Sequence, residues 1–178
     1  LWISGNPVKF FSGQNVVGTN NIDELIGMAY KRGCEVFEVD SCKVAEAALM
    51  SGNVRLTRVD CTFHYAVGTD ENVNTWLEAM SQACHVKFRG RGHYEPSMAS
   101  LLFGVKPAGE GKAAKGSRHS TFKFYNKFFE LNKKRPNCPE HVFEKISKIC
   151  YGEVRAEALY RGRELNQLGL KYPKLAIY

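Results

Sequence analysis

Three segments of this chain sort their residues into two faces, and that restricts the fold more than any other property. In VRLTRVDCTFHYAV (54–67), period-two alternation puts Arg58, Asp60, Thr62 and His64 on one side, against Val59, Cys61, Phe63 and Tyr65. In EVRAEALY (153–160), Glu153, Arg155 and Glu157 oppose Val154, Ala156, Ala158 and Tyr160. FKFYNKFFELNKK (122–134), read as a strand, sets Lys123, Tyr125 and Lys127 against Phe122, Phe124, Asn126 and Phe128. Strands of this kind pair antiparallel, burying the apolar face together and leaving the other polar. Helical stripes fill the intervals. They are Ile22, Leu25, Ile26, Ala29 and Tyr30 behind an Asn21 cap; Val44, Ala47 and Ala48 within 41–50; and Val73, Trp76, Leu77 and Met80 behind Thr69. Val142, Phe143, Ile146 and Ile149 mark a helix over 139–150, and a short amphipathic one fits 162–168. The order lacks a strict βαβ rhythm. The expected class is α+β: a mainly antiparallel central sheet with helices on one face and a polar, catalytic face on the other.

The remainder reads as connections. Residues 1–19 suggest a strand end, a turn at Gly5-Asn6-Pro7, then loop or extended chain; 98–105 suggest a buried strand. Segments 86–96 and 106–118 are basic, glycine-bearing loops. With 178 residues, 44% of them hydrophobic and 24% charged, the chain (1–178) is expected to be one soluble domain. No apolar run approaches the roughly 20 residues that cross a bilayer, and no n-region or h-region is read at the start, so no secretory leader is expected. The start at Leu1 is expected of a fragment or processed product. Six cysteines without CxxC or zinc spacing suit reduced thiols in a cytoplasm. The net charge of +7 is localised: residues 87–135 hold twelve Lys/Arg and three Asp/Glu, so the rest is slightly acidic. Focused positive charge attracts polyanions, of which nucleic acid is the commonest.

If the three strands share a sheet, the polar face gathers two R-x-acid pairs, Arg58/Asp60 and Arg155/Glu157, with His64, Lys123, Lys127 and Tyr125. A merely wet face draws on Thr, Ser, Lys and Glu; it remains the plain alternative, as does a surface tyrosine resting on lysine stems. Such a face suits phosphoryl transfer. Asp60 and Glu157, with water or His64, form an oxygen-rich seat for Mg²⁺ or Mn²⁺, which polarises a phosphate oxygen. Tyr125, with a reference pKa of about 10, becomes a nucleophile if Lys127 and Lys123 favour its phenolate. Candidate DNA contacts are Arg58, Lys87, Arg89, Arg91, Lys123 and Arg155, with Phe88, His93 and Tyr94 available for base stacking.

The stretches PVKFFSGQNVVGT (7–19), TRVDCTFHYAVGTDENV (57–73), STFKFYNKFFEL (120–131) and GEVRAEALYRGRELNQLG (152–169) resemble, in order and interval, the gene II replication initiators of filamentous bacteriophages. The likeness extends more loosely to rolling-circle plasmid initiators. It implies a DNA endonuclease of rolling-circle replication that nicks one strand through a tyrosine, leaves a 3′ hydroxyl and later rejoins the displaced circle. By motif, Tyr125 matches the nucleophile and Lys127 the lysine of Y-x-K, while Asp60 and Glu157 match the acidic positions of R-x-D and R-x-E. His64 enters as a third metal candidate from strand parity. Glu130 closes the tyrosine motif, but strict alternation sets it on the opposite face. The implied partners are single-stranded or supercoiled origin DNA, with host helicase and polymerase and no membrane, in the cytoplasm of a bacterial host. Two departures stand out. There is no His-hydrophobic-His pair, and the family's longer N-terminal portion is absent, so N-terminal strands of the full protein are expected to be missing. The competing functions are a non-catalytic single-stranded DNA-binding module and, less favoured, an aromatic RNA-binding sheet. Asp60 and Glu157 separate the first from the nuclease, because carboxylates without a metal repel phosphate.

Overall fold

The computed structural model describes residues 4–19, 21–87, 92–106, 115–116 and 119–172. The expectation of loop or extended chain after the Gly5-Asn6-Pro7 turn is corrected for residues 7–12, and the expected strand end at residues 1–3 lies outside the described residues. The Asn6 side chain accepts the Lys9 N–H at 3.0 Å and opens helix α1 (Pro7–Ser12). Pro7 sits in the first turn, where its missing donor costs nothing, and Gly13 at φ 71° ends the helix. Helix α2 (Ile22–Val36) starts on the predicted Asn21 cap and runs past Gly33; α3 is Lys43–Met50. Then come β1 (Arg58–Ala66), α4 (Asp70–Lys87), β2 (His93–Glu95) and a 3₁₀ turn (Pro96–Met98). After β3 (Ser100–Phe103), a two-stranded ladder pairs β4 (Val105–Lys106) with β5 (Lys115–Gly116). The chain continues through β6 (Ser120–Asn126), α5 (Lys127–Lys133), α6 (Glu140–Cys150), β7 (Glu153–Arg161) and α7 (Gly162–Gln167).

The expected class is observed. Five strands form one antiparallel sheet in the order β1-β7-β6-β3-β2. The three strands read from the sequence are therefore neighbours, with β7 between β1 and β6. Helix α4 supplies Val73 and Leu77 to a core with Ala99, Leu101 and Val154, and Trp76 packs 5.6 Å from the Phe124 ring. That contact covers β6, β3 and the near part of β7. The apolar side of edge strand β1 is left partly open, with Phe63 and Tyr65 more than half exposed. A second cluster joins Leu131 of α5 and Ile146 and Cys150 of α6 to Val16 of the loop after α1. Glycine is required at position 152 (φ 67°), where a Cβ would collide with the Gly68 carbonyl oxygen. The close approach brings the turn before β7 against the turn after β1, and the Val67 N–H donates to the Gly152 carbonyl at 2.8 Å.

The reading of 122–134 as one strand fails at Asn126. Its Oδ1 accepts the Phe129 N–H at 2.8 Å, which caps α5 and ends β6. Its Nδ2 donates to Asp70 Oδ1 at 2.8 Å, tying the strand-to-helix switch to the start of α4. Asn126 is fully buried, so both bonds are made without competition from water. Asn126→Ala removes a cap and strands the Asp70 partner. We expect a loss of about 2–3 kcal/mol in urea unfolding, with the m-value unchanged.

Candidate active site

Strand register assembles the polar face as rows of opposed residues. One row runs His64, Arg155, Tyr125, Ser100 and the next Thr62, Glu157, Lys123, Leu102. Every polar residue that alternation assigned to this face within β1, β6 and β7 lies on it. Lys127 reaches it from α5 instead, because β6 has already ended.

Tyr125 occupies the centre and is not open to solvent, at 2% exposure. Its hydroxyl donates to Glu157 Oε1 at 2.7 Å, and Lys123 Nζ lies 4.0 Å from the ring centroid. Burial drives the phenol's pKa far above its ordinary value; Arg155 opposes this, while the charges of Glu157 and Glu130 add to it. The free domain therefore holds Tyr125 as a neutral phenol hydrogen-bonded to a carboxylate. The open phenol expected from alternation is corrected: the ring is buried, although the two lysines do flank it, their ammonium nitrogens 4.0 Å (Lys123) and 5.8 Å (Lys127) from its centroid.

Arg155, at 3% exposure, is the most enclosed charge there. Its guanidinium donates to Glu157 Oε1 (3.1 Å), the Asn15 carbonyl (2.7 Å) and Thr62 Oγ1 (3.5 Å). All three acceptors belong to the protein, so this side chain is built into the face. Lys127, also buried, donates to Asn15 Oδ1 at 3.0 Å and Glu130 Oε2 at 2.5 Å. Burial lowers its pKa, the Glu130 bond working against that. For Glu130 burial works upward, but the Lys127 bond and the charges of Lys127, Lys123 and Arg155 outweigh it and hold the carboxyl below the usual range. Glu130 thus belongs to the site. Alternation excluded it only because the strand was read on through α5.

Asp60 and Glu157 line one pocket of about 130 Å³, with Arg58 and Lys123 at its walls and Leu102 and Leu159 beneath. Arg58 grips Asp60 through two bonds, at 2.8 and 2.6 Å, and both groups are exposed. That volume admits an ion and several waters. His64 does not line it. Its Nδ1 lies 3.0 Å from Glu153 Oε2, its Nε2 is buried without a partner, and burial together with Arg155 favours the neutral ring. The three expected ligands are not brought together, and no cluster of three His, Cys, Asp or Glu able to hold a metal exists among the described residues. Two carboxylates facing one wet pocket still suit a hard cation that completes its shell with water and phosphate oxygens. Of the expected DNA contacts, Arg58 and Lys123 flank this pocket and Lys87 ends α4, whereas Arg89 and Arg91 lie outside the described residues. Sequence reasoning missed Asn15 and gave Thr62 no role. The available signals were the GQN tripeptide in the 7–19 block and, for Glu130, the helix-start pattern of Asn126 before Phe128 and Leu131.

The Phage_CRI family model, which describes the N-terminal region of the phage gene II replication-associated protein, matches residues 1–175. The chain belongs to that family. Among its relatives, the replication-associated protein of Enterobacteria phage I2-2 is 27% identical over 179 residues, aligning 98% of this chain with 48% of the phage protein. This chain thus spans about half the length of that curated relative. The expected kinship with the phage gene II initiators holds along nearly its whole length. No solved structure matches it.

The two arginines of this phage replication-family site divide sharply by environment. Arg155→Met leaves the Asn15 carbonyl without its buried donor and Glu157 with the Tyr125 hydroxyl but no buried counter-charge, and should cost about 3 kcal/mol of folding stability. Arg58→Met removes an exposed ion pair and should cost less than about 1 kcal/mol. Chemical denaturation of the two variants checks the contrast.

Proposed function

We propose that this chain is the endonuclease domain of a rolling-circle replication initiator, nicking and rejoining one DNA strand through Tyr125. The observation that carries the reading is the Tyr125 hydroxyl, hydrogen-bonded at 2.7 Å to Glu157, a carboxylate that also faces the Asp60 pocket. A structural tyrosine buried in a sheet needs one acceptor for its hydroxyl, but not two neighbouring lysines and an adjoining pocket that its acceptor shares with a second carboxylate. Membership of a replication-associated family makes DNA the natural source of the phosphate.

In this reading Tyr125 Oη attacks the scissile phosphorus while its proton passes to Glu157, the acceptor it already has. The new bond is tyrosine to phosphorus; the bond that breaks is phosphorus to O3′, and the departing oxygen takes a proton from water. Lys123 and Lys127 offset the charge that builds on the phosphate. Rejoining reverses the step: a 3′ hydroxyl attacks the phosphotyrosine and Glu157 returns the proton to the phenol. Asp60, with water and phosphate oxygens and with Glu157 while that carboxylate is unprotonated, would hold the Mg²⁺ or Mn²⁺, which would supply polarisation of a non-bridging phosphate oxygen. Arg58 would then exchange Asp60 for a DNA phosphate at the pocket rim. The basic excess of residues 87–135 would hold the strand on either side, with a steep salt dependence. The freed 3′ hydroxyl suits a host polymerase as primer and the opened duplex a host helicase, in the bacterial cytoplasm. Among the described residues no helix is long and apolar enough to cross a membrane.

The test incubates the full-length protein with single-stranded oligonucleotides tiling the origin of its own replicon, with Mn²⁺, and records intact protein mass. We expect a covalent adduct that EDTA abolishes and Tyr125→Phe eliminates, formed about 100-fold or more slowly in Glu157→Gln. Metal-dependent cleavage that survives Tyr125→Phe would assign the attack to water or another tyrosine. Salt-sensitive binding without adduct or cleavage would instead identify a DNA-binding module.

A further inference from the structure

The block 7–19 contributes to the family resemblance but carries no chemistry in the reading above, and the structure suggests what it is for. Gly13 lies so close to the segment before α6 that a Cβ there would collide with the Asn137 carbonyl oxygen. Gln14 is buried and turns its amide back on its own loop. Its Oε1 accepts the N–H groups of Val16 (2.6 Å) and Val17 (3.0 Å), and its Nε2 donates to Ser12 Oγ (3.1 Å) and the Val17 carbonyl (2.9 Å). Val16 packs into the cluster of Leu131, Ile146 and Cys150. The residue between these two anchors is Asn15. Its backbone carbonyl accepts from Arg155 at 2.7 Å and its side-chain Oδ1 from Lys127 Nζ at 3.0 Å. An ammonium has no acceptor, so the amide oxygen must be the atom facing it.

We infer that Asn15 is a positioning residue of the nicking reaction: the Gly13–Val17 loop holds its amide as a neutral acceptor that fixes the Lys127 ammonium beside Tyr125. This rests on the nicking function proposed above. A four-carbon side chain with three donors has many orientations, and Glu130 alone would swing Lys127 about its own helix, three residues away. The second acceptor comes from a different part of the chain and triangulates the charge against Tyr125. An amide does this without adding a second negative charge next to the phosphate site, as an aspartate would. The backbone bond to Arg155 survives any side-chain change at Asn15, so the loop keeps one of its anchors in every variant.

The experiment uses the full-length protein in single-turnover adduct formation with the origin oligonucleotide. Asn15→Leu should slow the reaction by about 10–100-fold, while oligonucleotide affinity stays within about two-fold and the melting temperature shows the fold intact. Asn15→Asp, which keeps the acceptor but brings a negative charge next to the phosphate, should recover only part of the lost rate. In a Lys127→Met background, Asn15→Leu should cause little further loss, because a residue that acts through Lys127 has nothing left to act on. A loop that merely stabilises the fold would lose the same factor in both backgrounds. A second readout does not depend on cleavage. The hydrogen-bonded side-chain ammonium of Lys127 should give a protected signal in a ¹H–¹⁵N spectrum of the protein, lost in Asn15→Leu and kept in Asn15→Asp. An Asn15→Leu protein that reacts at the wild-type rate and keeps that signal overturns the inference while leaving the nicking function standing. A wild-type protein that forms no adduct removes the nicking function, and the ammonium signal then decides alone whether Asn15 holds Lys127.

Discussion

A guanidinium buried beneath the polar face of the sheet organises this molecule. Arg155 stands on β7, between β1 and β6, and donates to Thr62 on the first, to Glu157 on its own strand and to the Asn15 loop. A charge this enclosed is tolerable only if its donors are met, so each acceptor must arrive at its place for the domain to fold. The same requirement sets the site. Glu157 is drawn toward the tyrosine row, and the loop after α1 is docked across the face, where it also reaches Lys127. Folding and the assembly of the candidate centre are therefore one event.

The state of Tyr125 follows from that enclosure. A phenol sheltered from water and bonded to a carboxylate keeps its proton, and the surrounding charges do not reverse this. The resting domain is thus chemically quiet. In the proposed reaction the proton moves to Glu157 only as positive charge and a phosphate approach the ring, which would couple reactivity to the presence of substrate. For the proposed nicking reaction, whose stray occurrence would break DNA, a tyrosine that is unreactive by default is a sound arrangement. Lys123, stacked on the ring and at the wall of the acidic pocket, links the two halves of that arrangement.

The apolar side of the sheet answers to packing. Helix α4 covers β6 and β3 through Trp76, Val73 and Leu77, but its width leaves the β1 aromatics Phe63 and Tyr65 exposed at the sheet edge. Alternation shows which face of a strand is apolar. It does not show whether a helix reaches that strand.

Much of the architecture was legible in the residue order, for a physical reason. Successive side chains on a strand point to opposite faces whatever the strand pairs with, so the allocation of Asp60, Tyr125, Arg155 and Glu157 to one polar surface needed no partner. Caps at Asn21 and Thr69 and the stripes of α2, α4 and α6 were equally local. What alternation could not contain was the point at which it stops. Asn126 ends β6 because its amide meets both a backbone donor in α5 and Asp70 in α4, and that coincidence exists only once distant segments have met. The same holds for Glu130, carried into the site by a helix, for His64, claimed by Glu153 and withheld from the acidic pocket, and for Asn15, which lies more than a hundred residues from Lys127 in sequence. Residue order decided which side each strand side chain faces, because that depends on the backbone alone. Which of those side chains touch, and which are closed off from water, was decided by the packing of segments far apart in the chain, and the chemistry depends on that second level.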